Sequence, residues 1–317
     1  MKPVALVLVF ITPEHRELVA QSFELIYAPN DGLGVDRSRG AAVIAARGKD
    51  IRVVLTNGTN GLTPDEIDAM PNLEIVCTLG VGTENVSVAH ATKRGIRVCN
   101  AARTNDDCTA DHAMALLLGA VRRIPTLNRL AREGLYRDDI PRPPHVSGRR
   151  LGILGMGGVG RKIAKRAAGF DLEIAYCTRR KRDDVPYAYF DNVRDLAEWA
   201  DFLVAAAPGG KETFHLIDDE VLKALGPDGV VVNVGRGSVV DTEAVARALR
   251  AGTIMAAALD VYEGEPTPPA PLLDLENALL TPHVGGISPQ AIHASLLRFL
   301  ENATRHFAGQ LLVTPVN

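Results

Sequence analysis

A run of apolar residues followed by three spaced glycines restricts this chain to few architectures. Residues 151–160 read Leu-Gly-Ile-Leu-Gly-Met-Gly-Gly-Val-Gly, and a helix-forming segment, 161–168, comes directly behind them. Strand, glycine turn and helix in that order form a cradle for a dinucleotide pyrophosphate. Gly155 permits the tight turn, Gly157 lets the backbone approach the phosphates, and Gly160 lets helix and strand pack closely. The free N–H groups of the first helical turn then face the anion. Gly155, Met156, Gly157, Gly158, Val159 and Gly160 are the expected phosphate loop. A glycine turn alone can serve plain packing, but here both flanks fit the ligand.

The rest of the chain repeats the same alternation. In the first third, apolar runs at 4–10, 51–55, 73–79 and 96–100 predict strands. Helices are predicted from Pro13 to Ser22 with Thr12 as cap, from Thr63-Pro64 onward, and over 86–94. Residues 31–34, Asp-Gly-Leu-Gly, predict a turn. The segment 111–134 is the longest helical pattern, apolar nearly all round in its first half and broken by Pro125. Residues 141–145 predict an extended connector. After the glycine loop, strands are expected at 151–154, 173–177, 202–206, 230–234, 256–259 and 278–280. Helices fall between them at 161–168, 193–200, 218–225 and 242–251, and a final amphipathic helix covers 288–308. Strand-helix alternation predicts an α/β chain with parallel sheets covered on both faces. A length of 317 residues predicts two domains.

Composition removes several function classes. Net charge is −3, so no basic field is present for nucleic acid or an anionic membrane. The apolar N-terminal run is short and leads into Glu14, His15 and Arg16, which predicts a buried strand rather than a leader. No stretch suits a bilayer span. The four cysteines, Cys77, Cys99, Cys108 and Cys177, are scattered. They predict reduced thiols and a cytoplasmic location, with no metal site.

In open α/β sheets ligands bind beyond the carboxyl ends of the strands. Polar residues that directly follow strands near the glycine loop are therefore the chemical candidates. Arg236 stands between Gly235 and Gly237. Glu265 precedes Pro266. His283 lies beside Val284 and Gly285. An arginine can grip a carboxylate with both nitrogens and polarise the adjacent carbonyl. A histidine can give a proton to a developing alkoxide. An acid on its other ring nitrogen favours the imidazolium. That set suits hydride exchange with a 2-keto acid. Glu263, two residues from Glu265, competes for the acid's role on this reading alone. Backbone N–H groups around Val81 and Gly82 are candidates to hold the substrate carboxylate.

At these residues the chain resembles the D-2-hydroxyacid dehydrogenase family. Three blocks carry the likeness: 154–161, 233–241, and 259–266 together with 280–286. The resemblance implies Arg236, Glu265 and His283 as the catalytic set, which decides for Glu265 over Glu263. It implies a Rossmann cofactor domain, 101–287, inserted in a flavodoxin-like substrate domain of 1–100 and 288–317. The active site is then expected in a cleft, and the helix from Asp111 in a homodimer interface. Val81, Gly82 and Arg236 are expected to bind substrate. Val234, Asp260, His283 and Gly285 join the glycine loop as expected cofactor contacts.

Within the family the chain is most similar to glyoxylate, hydroxypyruvate and hydroxyphenylpyruvate reductases. NAD-specific members end the second cofactor strand with an aspartate that binds the ribose. Here that strand runs into Thr178, Arg179, Arg180, Lys181 and Arg182. A hydroxyl and guanidinium groups suit a 2′-phosphate, so NADP(H) is favoured, with NAD(H) the alternative. The expected activity is NADPH-dependent reduction of a small 2-keto acid to a D-2-hydroxy acid. Two readings stand against it: NAD-dependent oxidation of a D-2-hydroxy acid, and a cofactor-sensing corepressor-like protein. Arg103, where relatives often carry a small residue, and Tyr136, where some reductases carry tryptophan, depart from the family pattern and bear on the substrate side chain.

Overall fold

The computed structural model describes residues 2–30, 36–140 and 142–317. The predicted turn at 31–34 and the first residue of the 141–145 connector lie outside the described residues. The chain forms two compact units. One comprises Met1–Asn105 with Ile287–Asn317, and the other comprises Asp106–Gly286.

The first unit holds five strands: β1 (Val4–Val7), β2 (Glu24–Tyr27), β3 (Ile51–Thr56), β4 (Ile75–Thr78) and β5 (Arg97–Cys99). They pair in the order β2-β1-β3-β4-β5, all parallel. Alternate residues feed two cores. Leu6, Val54, Val76 and Val98 pack on one face. Ala5, Val7, Val53, Leu55, Ile75 and Cys77 pack on the other, against Leu296, Phe299 and Ala303 of the helix Pro289–Phe307. That helix brings the far end of the chain back onto the N-terminal sheet. Both proline-led helix starts form as expected. Thr12 accepts from the His15 N–H, and Thr63 and Glu66 close a full capping box ahead of Pro64–Asp68.

The second unit holds seven strands: β6 (Arg150–Leu154), β7 (Glu173–Cys177), β8 (Ala188–Phe190), β9 (Phe202–Ala205), β10 (Val230–Asn233), β11 (Ala256–Leu259) and β12 (Ala278–Leu280). Their order is β12-β11-β10-β9-β6-β7-β8, all parallel. The chain winds from β6 outward through β7 and β8, then restarts on the other side of β6 with β9. The switch of direction falls between β6 and β9, the place beyond whose strand ends open parallel sheets bind ligands. The glycine loop leaves β6 at that point. Helices Asp106–Val121 and Gly158–Ala167 cover one face. Helices Val193–Trp199, Asp219–Leu225 and Thr242–Ala251 cover the other.

The elements differ from the sequence expectation in places. The strands β2 and β8 and the helix Ser38–Arg47 were not expected. Both strands are short, four and three residues, and lie at sheet edges with no buried position, so their brief apolar runs do not stand out as strands. The first strand stops at Val7 rather than Phe10, and Phe10 is exposed. The segment expected as one long helix over 111–134 is two helices, Asp106–Val121 and Ile124–Arg132. The break falls at Arg123, in left-handed backbone, before Pro125 rather than at it. A proline lacks the N–H but fits a first turn, so the chain ends one helix upstream and uses Pro125 to start the next. The longest helix is instead Pro289–Phe307.

Candidate active site

The glycine loop is tight where two backbones cross and open where a ligand would lie. Gly155 has φ of +101°, and a Cβ there would meet the Ala206 carbonyl at 2.8 Å. A Cβ on Gly160 would sit 2.0 Å from the Gly155 carbonyl oxygen, so the helix can approach β6 this closely only without a side chain. A Cβ on Gly157 would meet nothing within 4 Å. Gly157 caps the helix Gly158–Ala167 with no side-chain hydrogen bond, and no acid occupies the first turn. The positive end of the helix dipole faces this opening, and the Asp106 carboxylate stands beside it, 2.0 Å from where a Cβ on Gly158 would lie. This cradle fits a dinucleotide pyrophosphate. Met156 is fully buried with Ile163 and Ile153, so only its backbone can meet the ligand. A Gly160→Ala variant is expected to lose about 1–3 kcal/mol of stability through overpacking. It should also lose the rise in Tm that NADPH gives the parent protein, which a thermal melt with and without cofactor measures.

Beyond β7 no acid stands at the strand end. Thr178 Oγ1 donates to the Arg180 carbonyl at 2.7 Å, and the Tyr189 hydroxyl donates to the Thr178 carbonyl at 3.1 Å. Arg179 is exposed and pairs with Glu212. Arg180 is exposed.

The chemical candidates stand on the ends of β10, β11 and β12. Buried Asn233, the last residue of β10, shapes the first turn. Its Oδ1 accepts from the Gly235 N–H at 3.0 Å, and its amide donates to the carbonyls of Arg236 (2.9 Å) and Val261 (3.3 Å). The Arg236 guanidinium donates to the Gly235 carbonyl at 2.8 Å. A Cβ on Gly209, from the loop after β9, would lie 3.2 Å from Arg236 Cγ, so that loop packs along the arginine stem. Val234 is buried, which leaves its backbone to face a ligand.

Glu265 and His283 meet directly. His283 Nδ1–H donates to Glu265 Oε2 at 2.6 Å, and Glu265 Oε1 accepts from the Tyr262 N–H at 2.7 Å. The Glu265 hydrogen bond raises the His283 pKa above the usual imidazole value, aided by the charges of Glu265 and Asp260. Burial and the nearby Arg236 charge work against that rise. Glu263 does not compete for His283: its Oε1 lies 2.7 Å from His215 Nε2 instead.

Asp260 is 2% exposed, and its carboxylate is committed to the loop that carries His283. Oδ1 accepts from Thr281 Oγ1 (2.6 Å) and the Val284 N–H (2.9 Å), and Oδ2 accepts from the Gly285 N–H (2.8 Å). His112, from the helix Asp106–Val121, reaches Thr281 Oγ1 at 2.9 Å. His283 itself has φ of +55°, and its N–H donates to the Asp260 carbonyl at 2.9 Å. Asn233 and Asp260 were not expected as organisers of these turns. The signal was present: each is a polar residue closing or directly following an otherwise apolar strand. Buried polar groups of that kind must be hydrogen-bonded, and the strand-end turns supply the partners.

In the first unit, Gly80 has φ of +128° just after β4, and the exposed Val81 follows it. The Asn100 amide donates to the Val81 carbonyl at 3.0 Å. The four cysteines are all free, although Cys77 and Cys99 face each other in register across β4 and β5. Among the described residues, no helix is long and apolar enough to cross a membrane.

Comparison with known proteins agrees with this arrangement. Residues 114–285 match the family described as D-isomer specific 2-hydroxyacid dehydrogenase, NAD binding domain. The chain is 39% identical over 276 residues to a hydroxyphenylpyruvate reductase of Plectranthus scutellarioides, covering 86% of this chain and 88% of that one. It is 34% identical to a glyoxylate reductase of Pyrococcus horikoshii, over 98% and 95% of the two chains. Among solved structures, the NADPH-dependent glyoxylate/hydroxypyruvate reductase of Sinorhizobium meliloti, in complex with NADP and malonate, superposes with a TM-score of 0.88. That match has 35% identity and covers 100% of this chain and 97% of that one. A glycine cradle at the sheet's switch point, the three strand-end residues and these likenesses agree: the chain belongs to the D-isomer specific 2-hydroxyacid dehydrogenase family and is an NAD(P)-dependent oxidoreductase.

Proposed function

We propose that this protein reduces small 2-keto acids of the glyoxylate and hydroxypyruvate type to D-2-hydroxy acids, with NADPH as the preferred reductant. The reading is carried by the His283–Glu265 pair, with Nδ1 to Oε2 at 2.6 Å and Arg236 near enough for its charge to act on the imidazole. When bound, the reduced nicotinamide supplies a hydride to the carbonyl carbon. Arg236 grips the carboxylate and draws electron density from the keto oxygen. Glu265 holds the imidazolium form of His283 and fixes its proton on Nδ1. Nε2 then gives its proton to the oxygen as negative charge develops there, and the product leaves with one hydride and one proton gained. Val81 and Gly82 are assigned to the substrate carboxylate, and residues 1–100 with 288–317 to the substrate domain.

The preference for NADPH is supported by the absence of an acid after β7 and by Thr178, Arg179 and Arg180 in its place. The glycine cradle and its N-terminal amides serve either dinucleotide. We also propose a cytoplasmic homodimer that uses the helices within 111–134, where exposed Ile124 stands on a segment with no buried residue. The test is a panel of glyoxylate, hydroxypyruvate, pyruvate and phenylpyruvate, followed by loss of reduced-cofactor absorbance. The expected result is turnover of the small keto acids with a higher kcat/KM for NADPH. Equal or better kcat/KM with NADH refutes the cofactor preference, and no turnover of any keto acid refutes the reaction.

A further inference from the structure

The loop after β11 carries a second histidine–glutamate pair that the reaction above does not use. His215 Nε2 lies 2.7 Å from Glu263 Oε1, and His215 Nδ1 lies 3.8 Å from Asp241 Oδ2. All three groups are partly buried. Each belongs to a different strand-end segment: His215 follows β9, Asp241 follows β10 and Glu263 follows β11. Backbone contacts bind the same three segments. The His215 N–H donates to the Ser238 carbonyl at 2.8 Å. The Thr242 N–H donates to Glu263 Oε2 at 3.1 Å, and the Ala244 N–H donates to Asp241 Oδ1 at 3.0 Å. Gly237, next to Arg236, lies so close to the third segment that a Cβ would sit 2.2 Å from the Tyr262 carbonyl oxygen and 2.8 Å from the Glu263 nitrogen.

Arg236 and Glu265 ride on the second and third of these segments. Arg236 is two residues from Ser238, and Glu265 is two residues from Glu263. Asn233 and Asp260 fix the turns next to the strands. The His215–Glu263 contact joins the same turns farther along the chain. Burial opposes charge on Glu263, yet its hydrogen bonds to His215 and Thr242 hold its pKa below the usual carboxylate value, so the carboxylate is an acceptor throughout the neutral range. His215 also has φ of +50° and stacks on Phe214, with ring centroids 3.9 Å apart. Left-handed backbone at a non-glycine residue persists where surrounding contacts determine it.

We propose that the His215–Glu263 pair is a positioning clamp: it locks the Arg236 turn to the Glu265 loop, setting where the carboxylate-binding guanidinium stands relative to the His283 pair. Neither residue touches the reacting atoms. The clamp acts through Arg236, so its loss falls first on keto-acid binding. The proposal rests on the keto-acid reductase reading for its kinetic consequence, while the clamp itself is readable without turnover.

The test uses Glu263→Gln, His215→Phe, their double variant, and His215→Gln, whose amide can still donate to Glu263. Hydrogen exchange of residues 235–241 and 261–265 reads the clamp in the NADP-bound protein. Faster exchange in both segments is expected for Glu263→Gln and His215→Phe, with near-parental exchange for His215→Gln. Steady-state kinetics on glyoxylate reads the consequence. Each disruptive single variant should lower kcat/KM about tenfold, mainly by raising KM, with the NADPH Kd within about twofold of the parent. The double variant should lose no more than the worse single, because the His215–Glu263 contact is shared by both, while the Thr242 contact belongs to Glu263 alone. Unchanged exchange in the two segments overturns the clamp. Faster exchange with unchanged KM overturns the positioning role, as does a loss of NADPH affinity in step with kcat/KM. Should His215→Phe fail to fold, Glu263→Gln and His215→Gln still decide between these outcomes. A parent protein inert on every keto acid refutes the reductase reading instead, and hydrogen exchange then still decides the clamp.

Discussion

Replacing Arg236 with alanine is expected to lower kcat/KM for glyoxylate by about 10³-fold, the size found when one preorganised charge-stabilising donor is removed from a developing oxyanion. Two functions are lost together. The carboxylate loses a bidentate partner, which raises KM, and the keto oxygen loses the nearby positive charge, which lowers kcat. Cofactor binding should hold, because the glycine cradle on β6 does not include Arg236. The fold should hold too, because the turn is shaped by the Asn233 side chain and by the Arg236 backbone carbonyl, which alanine retains. Steady-state kinetics together with NADPH titration by fluorescence checks both halves. Near-parental turnover in Arg236→Ala would remove the arginine from the mechanism. An Arg236→Lys variant keeps the charge but not the fork, and recovery by lysine should be partial.

The second large effect concerns proton delivery. His283→Ala should lower kcat for keto-acid reduction by about 10²–10⁴-fold, the usual contribution of a positioned general acid. The pH dependence separates His283 from its partner. Reduction needs the imidazolium, and Glu265 raises the His283 pKa. Reductive kcat/KM should therefore stay high from acid through neutral pH and fall as pH rises through that raised value. In Glu265→Gln the carboxylate is gone, so the fall should move to lower pH as well as deepen. Oxidation of the hydroxy acid needs the neutral ring and should show the opposite limb. Stability follows the same linkage. The imidazolium–carboxylate pair contributes fully below the ordinary imidazole pKa, and that contribution is lost as pH rises through the raised folded value. A reductive profile that Glu265→Gln leaves in place would show that the two side chains are not coupled in catalysis.

These effects trace to features of different legibility. The glycine loop could be read directly, because a local geometric demand selects glycine at fixed spacing. Gly155 needs left-handed backbone, and Gly160 faces a carbonyl oxygen 2.0 Å from any Cβ. The parallel α/β class followed from apolar runs of strand length alternating with capped, proline-led helices. Edge strands such as β2 and β8 escaped because their apolar runs are only three or four residues long and cannot be told from a stretch of helix or loop.

The sequence by itself placed Arg236, Glu265 and His283 at strand ends, since the rule that ligands bind beyond carboxyl ends needs only strand positions. It could not tell from spacing what each acid on the β11 loop does. Glu263 and Glu265 are chemically the same residue type two positions apart, and both follow the same strand. Only the tertiary structure assigns them different partners, Glu265 to His283 and Glu263 to His215. The reason is that the partners arrive from other strands, β12 and β9, which lie on opposite sides of β11 in the sheet order. Side-chain pairing across strands depends on that order, and no local pattern in the chain encodes it. The same holds for Asp260 and Asn233. The sequence marks them as polar residues at the ends of apolar strands, but their hydrogen-bond partners exist only once neighbouring strand ends are brought together.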